Sequence, residues 1–98
     1  MTDALLPSET SLNGRWIEVG GQVRADPVCE RIERLTNGML DVVQDHPTAG
    51  GWKRLFRDPT DGRFWERHHP KSELHGGGPP ALRLIDANEV AIEYGFRA

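Results

Sequence analysis

Four histidines and two glutamates are the residues whose chemistry suits a metal site or an acid–base centre. Zinc sites usually present paired ligands at short spacing, often with cysteine. His68 and His69 are adjacent, so on a strand they would point to opposite faces. We therefore favour exposed or hydrogen-bonded histidines (His46, His68, His69 and His75) and expect neither a metal nor a cofactor. The alternative is a small metal-binding or acid–base enzyme domain that uses Glu66, Glu73 and His75.

The segment Ser72–Pro80 contains three consecutive glycines followed by two prolines. Backbone amides of Gly76, Gly77 and Gly78 could in principle cradle a phosphate, but phosphate loops gain most when they lead into a helix N-terminus. Pro79 and Pro80 supply no N–H groups. Ordering three glycines is entropically costly, so the segment is either a slack linker or a loop with a defined shape. We favour the shaped loop and expect no nucleotide site.

Cys29 is the single cysteine of the chain. A position at the start of a helix could lower a thiol pKa, but Cys29 adjoins the apolar residues Val28 and Ile32, which favours a packed, inert thiol. One cysteine excludes an internal disulfide and fits a reducing compartment. No apolar run approaches the ~20 residues of a membrane span, and Met1-Thr2-Asp3 lacks the basic start of a signal peptide. A cytoplasmic protein is expected.

Charge is distributed unevenly along the 98 residues, whose net charge is -3. Residues 26–45 contain five acids and two bases, whereas residues 51–71 contain six bases and three acids. We interpret this as an acidic helix face lying near a basic sheet face within one fold; the alternative is a charged patch directed at a partner. The basic stretch also interleaves aromatic residues, a feature of nucleic-acid binding, although strand alternation produces the same mixture. The net negative charge argues against it, and a nucleic-acid accessory domain on residues 52–67 stays as an alternative.

Two β-hairpins are predicted. Trp16–Val19 and Gln22–Ala25 flank Gly20-Gly21, and we prefer a three-residue loop that pairs Val19 with Val23 because it buries more apolar surface. Trp52–Arg57 and Arg63–Arg67 flank Asp58-Pro59-Thr60-Asp61-Gly62, a turn sequence with proline early and glycine available for positive φ. In the preferred register of the second hairpin, Arg57 pairs with Arg63 and Phe56 with Phe64.

Two helices complete the prediction. Asp26-Pro27 is an N-cap followed by proline at the first helical position. Apolar residues then recur at intervals of four and three, and His46-Pro47 ends this long helix. This stripe consists of Val28, Ile32, Leu35, Met39 and Val42. After a short strand at Ala81–Ile85, Asp86 caps a second helix that ends at Gly95.

The fold class is therefore α+β. We predict a mostly antiparallel sheet of two hairpins plus a short strand, packed by one long amphipathic helix and a short C-terminal helix. Residues 1–12 are expected to form a flexible N-terminal tail, and residues 13–98 a single domain.

Five motifs of this sequence carry a family resemblance. The most specific are Asp58-Pro59-x-Asp61-Gly62-Arg63-x-Trp65-Glu66 and Ser72-Glu73-x-His75-Gly76-Gly77-Gly78-Pro79-Pro80. The others are Leu12-x-Gly14-x-Trp16, Cys29-Glu30-Arg31-Ile32-Glu33 and Gly51-Trp52. Over roughly residues 12–94, the sequence with these motifs resembles the immunity protein 27 family of bacterial polymorphic toxin systems. The stretch Arg67-His68-His69 departs from the family pattern.

This resemblance implies a small, non-enzymatic cytoplasmic protein that binds and silences a cognate toxin in the producing cell. Such a protein needs a preformed surface with buried anchors and complementary charge. No membrane or nucleic-acid partner is expected, and the sequence does not fix the oligomeric state. The contact surface is predicted on the second hairpin and the glycine-proline loop, at Arg63, Trp65, Glu66, Glu73, His75, Gly76, Gly77, Gly78, Pro79 and Pro80.

Overall fold

The computed structural model describes residues 4–70 and 78–95 of the chain. Its main sheet has five antiparallel strands in the order β1-β7-β6-β5-β4, and a separate two-stranded ribbon is formed by β2 and β3. The strands are β1 Ser11–Asn13, β2 Trp16–Val19, β3 Gln22–Ala25, β4 Asp41–His46, β5 Gly50–Arg57, β6 Phe64–His68 and β7 Ala81–Ile85. The helices are α1 Pro27–Arg34 and α2 Ala87–Tyr94. The predicted α+β class is confirmed.

Both faces of the main sheet are covered, one by each helix. Leu55 and Phe56 are consecutive in β5 and both fully buried, so their side chains point to opposite faces. Phe56 belongs to the core cluster that includes Ile32 of α1, whereas Leu55 packs in a second cluster with Val90 of α2. The sheet is therefore the middle layer between α1 and α2.

Helix α1 is shorter than the single long helix predicted from residue 26 to His46. Its beginning is as expected, since Asp26 accepts a hydrogen bond from the Cys29 amide at 2.8 Å and proline follows the cap. A π-helical turn over Leu35–Met39 then ends the helix, with Gly38 at a φ of 154°. The following segment pairs with β5 as strand β4.

The apolar stripe was misleading in its second half. Met39 and Val42, its last two members, are 37% and 56% exposed, while Leu40 is the buried residue at 5%. Adjacent β-branched residues favour a strand, and the glycine at 38 takes a conformation that side chains rarely adopt. Cross-strand pairing with β5 therefore prevails over the helical periodicity.

The β2–β3 hairpin has a two-residue turn and not the preferred three-residue loop. Val19 pairs with Gln22 and Glu18 with Val23. Gly20 and Gly21 have φ values of 58° and 81°, as the twisted two-residue turn requires at both central positions. All four residues of β2 are exposed, so burial of apolar surface does not select the register and the turn does.

The β5–β6 hairpin forms as predicted, but its register differs by one residue. Arg57 pairs with Phe64 and Phe56 with Trp65. Buried Asp58 shapes the connection, because its side chain accepts hydrogen bonds from the amide and hydroxyl of Thr60 at 2.9 and 2.7 Å. Gly62 closes the turn with a φ of 78°. The one-residue shift changes which side chains share a face, placing Phe56 beside Trp65 and Leu55 beside Glu66.

The C-terminal elements match their prediction. Strand β7 spans Ala81–Ile85, and the Asp86 side chain accepts a hydrogen bond from the Glu89 amide at 2.8 Å to cap α2. Gly95 ends the helix in the left-handed conformation. Neither helix in the described ranges is long and apolar enough to cross a membrane.

Acidic and basic residues face each other across β4 and β5. Asp41 pairs with Arg57 and Asp45 with Arg54 in the sheet register. The Arg54 Nε lies 2.6 Å from the Asp45 carboxylate. The uneven charge of the sequence is therefore partly resolved within the fold, although the acidic partner is a strand and not the helix that was expected.

Residues 4–12, which were expected to belong to a flexible tail, make core and polar contacts. Leu5 and Leu12 are 7% and 8% exposed, and β1 pairs with β7. The Glu9 carboxylate accepts two hydrogen bonds of 2.7 Å from the Arg31 guanidinium. These bonds, and not a long apolar run, anchor the segment.

Replacing a buried isoleucine is expected to be far more costly than replacing an exposed one. Ile32 is 1% exposed in α1, whereas Ile92 is 72% exposed in α2. Ile32→Ala should lower the free energy of unfolding by ~2–5 kcal/mol, and Ile92→Ala should change it by less than ~0.5 kcal/mol. Urea denaturation of both variants measures the difference. Similar losses in the two would contradict the packing of α1 against the sheet.

The Glu9–Arg31 pair predicts a pH dependence. The hydrogen bond from Arg31 lowers the pKa of Glu9 from 4.5 to about 2. Because the pKa is depressed in the folded state, the stabilisation is complete above pH 4.5 and is lost as the pH falls towards 2. Glu9→Gln should flatten this part of the stability profile, measured by thermal unfolding. In an Arg31→Gln background the same change should have little further effect, and an unchanged effect there would exclude the pair as the cause.

Candidate partner-binding surface

Trp65 and Glu66, two of the residues predicted to contact a partner, lie inside the fold. Trp65 is 0% exposed and Glu66 1% exposed. Trp65 packs in the cluster beneath α1, and Glu66 points to the α2 side of the sheet, where the Tyr94 hydroxyl reaches it. In this fold neither offers side-chain surface to a partner, which corrects their placement in the contact surface. The strand pattern gave both faces of β6 a bulky residue, and the sequence contained no sign that both faces are covered.

Glu66 is held by a buried polar network. The Tyr94 hydroxyl donates to its Oε2 at 2.7 Å and Arg83 Nε donates to its Oε1 at 2.9 Å. Burial alone would raise the pKa of Glu66, but these hydrogen bonds and the Arg83 charge outweigh it and lower the pKa. Arg83 also binds Glu89 of α2. A buried carboxylate with a lowered pKa and a hydrogen-bond donor on each oxygen joins β6, β7 and α2 and is poorly suited to proton transfer.

Arg63, a third predicted contact residue, fastens the N-terminal segment. Its guanidinium donates to the Leu6 and Glu9 carbonyls at 3.1 and 3.0 Å and to the Asp61 carboxylate at 2.6 Å. It also lies 5.0 Å from the centre of the Trp65 ring. Most of its donors are engaged within the chain.

The glycine-proline segment enters the described structure only at its end. Gly78 and Pro79 are buried and Pro80 is half-buried. The Pro80 carbonyl accepts a hydrogen bond from the Gly14 amide at 2.9 Å. A Cβ at Gly14 would lie 2.6 Å from that carbonyl and 2.5 Å from Cys29 Sγ, so glycine is required for this close approach. The remaining predicted residues, Glu73, His75, Gly76 and Gly77, lie outside the described residues.

A groove lies between the β2–β3 hairpin, α1 and the end of β6. We call it the Arg67 groove. Its volume is about 280 Å³, and its walls include Trp16, Cys29, Ile32, Glu33, Arg67 and His69. Cys29 is buried, which confirms the predicted packing of this side chain, and burial raises the pKa of its thiol.

A second concavity adjoins the Arg67 groove, because His69 lines both. Trp52 lines this second concavity, and its ring contacts that of His69 edge-on at 5.5 Å between centroids. Trp52 is 54% exposed and Trp16 is 40% exposed. Two partly exposed tryptophans therefore line two concavities that share His69.

A comparison with family models matches residues 18–86 to the model described as immunity protein 27. The chain belongs to the immunity protein 27 family. This confirms the resemblance found in the sequence motifs. No significant match was found among curated proteins or among solved structures.

The exposed aromatic surface of this immunity protein 27 member was not foreseen from its sequence. Trp16 and Trp52 were assigned to hairpin strands with a buried face, yet the ribbon of β2 and β3 stands apart from the main sheet. Val23 on that ribbon is 70% exposed. The available signal was the Gly20-Gly21 pair, which indicates a tight turn between two short strands. A two-stranded ribbon of this length is only marginally stable by itself.

Of the three residues of the metal and acid–base alternatives, only Glu66 lies within the described ranges. Residues 4–70 and 78–95 contain no group of three or more histidine, cysteine, aspartate or glutamate side chains placed to bind an ion. His46 uses Nδ1 to accept hydrogen bonds from the Thr48 and Ala49 amides, each at 3.1 Å, which is a turn-capping role. Burial lowers the pKa of His68.

The buried network predicts the effect of removing one hydroxyl. Tyr94→Phe should destabilise the protein by ~1.5–3 kcal/mol near neutral pH, since it removes a hydrogen bond to a buried charge. Without that donor the pKa of Glu66 rises, so the gap between wild type and variant should narrow on acidification. Urea denaturation at several pH values measures this. The same substitution in Glu66→Gln should cost less; equal costs would show that the lost stability comes from packing alone.

Proposed function

We propose that this chain is a non-enzymatic immunity protein that binds a cognate bacterial toxin and neutralises it in the cytoplasm of the cell that makes both. The observation that carries the proposal is the match to the immunity protein 27 family over residues 18–86. Neutralisation follows from binding when the bound protein covers the active site of the toxin or prevents its movement.

The shape of the described surface supports a binding role. Interfaces concentrate their energy in a few aromatic and arginine residues seated in preformed hollows. Trp16, Trp52 and Arg67 line two adjoining concavities, and two of the elements that form the groove walls, α1 and β6, pack in the core. A surface that is ordered before binding loses less entropy when the partner docks.

The rival functions gain less support from the structure. Glu66, required by the acid–base alternative, is buried and accepts a hydrogen bond at each of its two oxygens from Arg83 and Tyr94. Of the bases in the 52–67 hairpin, Arg54 and Arg63 form ion pairs with Asp45 and Asp61. A nucleic-acid surface would need such charges to remain available for phosphates.

Co-expression tests the proposal directly. A toxin gene encoded beside this chain should arrest growth when induced alone, and the chain should restore growth and form a complex with the toxin that survives gel filtration. An unrelated toxin of the same lethality serves as the control and should not be neutralised. A chain that neither binds the neighbouring toxin nor protects against it would end the proposal.

A further inference from the structure

Arg67 is a partly buried cation without a carboxylate partner in the described structure. Its Nη2 donates to the Gly51 carbonyl at 2.6 Å, and its Nε is buried with no hydrogen-bond acceptor. Residues 4–70 and 78–95 place no acidic oxygen within ion-pair distance of it, whereas Arg54, Arg63 and Arg83 each have one. Burial and the neighbouring Arg54 charge lower the pKa of Arg67, and the Asp45 charge, already paired with Arg54, offsets this only in part. Its positive charge is therefore incompletely compensated.

The location of Arg67 makes this charge useful to a ligand. It lines the groove beside the half-exposed Trp16, and His69 connects it to the concavity under Trp52. A charge already removed from water interacts more strongly with an incoming anion than an exposed one does. Part of the desolvation cost has been met on folding, so the anion gains more of the attraction.

The groove suits a single carboxylate better than a polyanion. Glu33 of α1 also lines the groove, and the chain as a whole carries a charge of -3. A nucleic-acid backbone would meet this repulsion at successive phosphates. One acidic side chain, whose stem contacts the tryptophan rings, would bring a single negative charge, and the guanidinium fork matches the two oxygens of a carboxylate.

We propose that the Arg67 groove receives an aspartate or glutamate side chain of the toxin, which pairs with Arg67 between the surfaces of Trp16 and Trp52. This inference rests on the proposed function and specifies the chemistry of the toxin surface that is recognised. It adds Arg67, Trp16 and Trp52 as specificity-determining residues. None of these three was among the contact residues predicted from the sequence.

The test measures binding of the purified neighbouring toxin to wild-type chain and to three single variants by calorimetry at two ionic strengths. Arg67→Gln should weaken binding by about 30-fold or more, as expected for loss of one partner of a buried charge pair. Arg67→Lys keeps the charge but not the fork and should fall between the two. Arg57→Gln is the matched control, because Arg57 is exposed and lies at the end of β5 opposite to Gly51, the residue whose carbonyl binds Arg67. The affinity of this variant for the toxin should stay within about twofold of wild type.

Further measurements distinguish loss of binding from loss of folding. Thermal unfolding identifies any variant that is misfolded. If Arg67→Gln is misfolded, Trp16→Ala, on the exposed ribbon, provides a second disruption of the groove that should also weaken toxin binding. Wild-type binding with unchanged affinity in folded Arg67→Gln or in Trp16→Ala would overturn the inference and leave the proposed function intact. Absence of wild-type binding would overturn both. If the wild-type chain binds a single-stranded oligonucleotide and Arg67→Gln abolishes that binding, the ligand of Arg67 is a phosphate and not a carboxylate. This outcome would also overturn the inference.

Discussion

Burial of β5 and β6 on both faces is the constraint on which the rest of this structure depends. Leu55 and Phe56 follow each other and are both inaccessible to solvent, as are Trp65 and Glu66 opposite them. Such strands need one covering layer on each side, which α1 and α2 supply. The β2–β3 ribbon lies outside these three layers, in a separate two-stranded sheet whose strand β2 is exposed.

The same constraint explains why a carboxylate lies in the core. Side chains alternate along β6, so the position after Trp65 must face α2. Glutamate is tolerated there because Tyr94 and Arg83, from α2 and β7, arrive with donors at 2.7 and 2.9 Å. A buried polar group with all its partners fixes the relative placement of the elements that provide them. The network thus contributes as much to the orientation of α2 as the apolar cluster around Val90 does.

Local signals in the sequence predicted the parts of the fold that depend on a few neighbouring residues. The caps at Asp26 and Asp86 and the positive φ at Gly62 are of this kind. Strand register and the fate of residues 35–46 were not predictable in the same way, because they depend on pairing with β5 from a distance. The same spacing of apolar residues can occur in an amphipathic helix and in an exposed strand. Only pairing with a partner strand decides which of the two structures forms. The contact surface suffered from the same limit, since exposure of a tryptophan depends on which layers cover it.

The surface assigned to toxin binding follows from this economy of layers. Trp65, Arg63 and Glu66 stabilise the fold, and the residues left for recognition are those that the three layers do not cover. Arg67 is intermediate between the two groups: its backbone belongs to β6, one donor bonds the Gly51 carbonyl, and the residue lines the groove. A cation in this position is oriented by the sheet before any partner arrives, so the geometry of the fold, and not a flexible loop, sets the direction from which a carboxylate must approach. Recognition by this member of the immunity protein 27 family would then be tied to the integrity of the β5–β6 hairpin, which places the binding surface and the core under a common structural requirement.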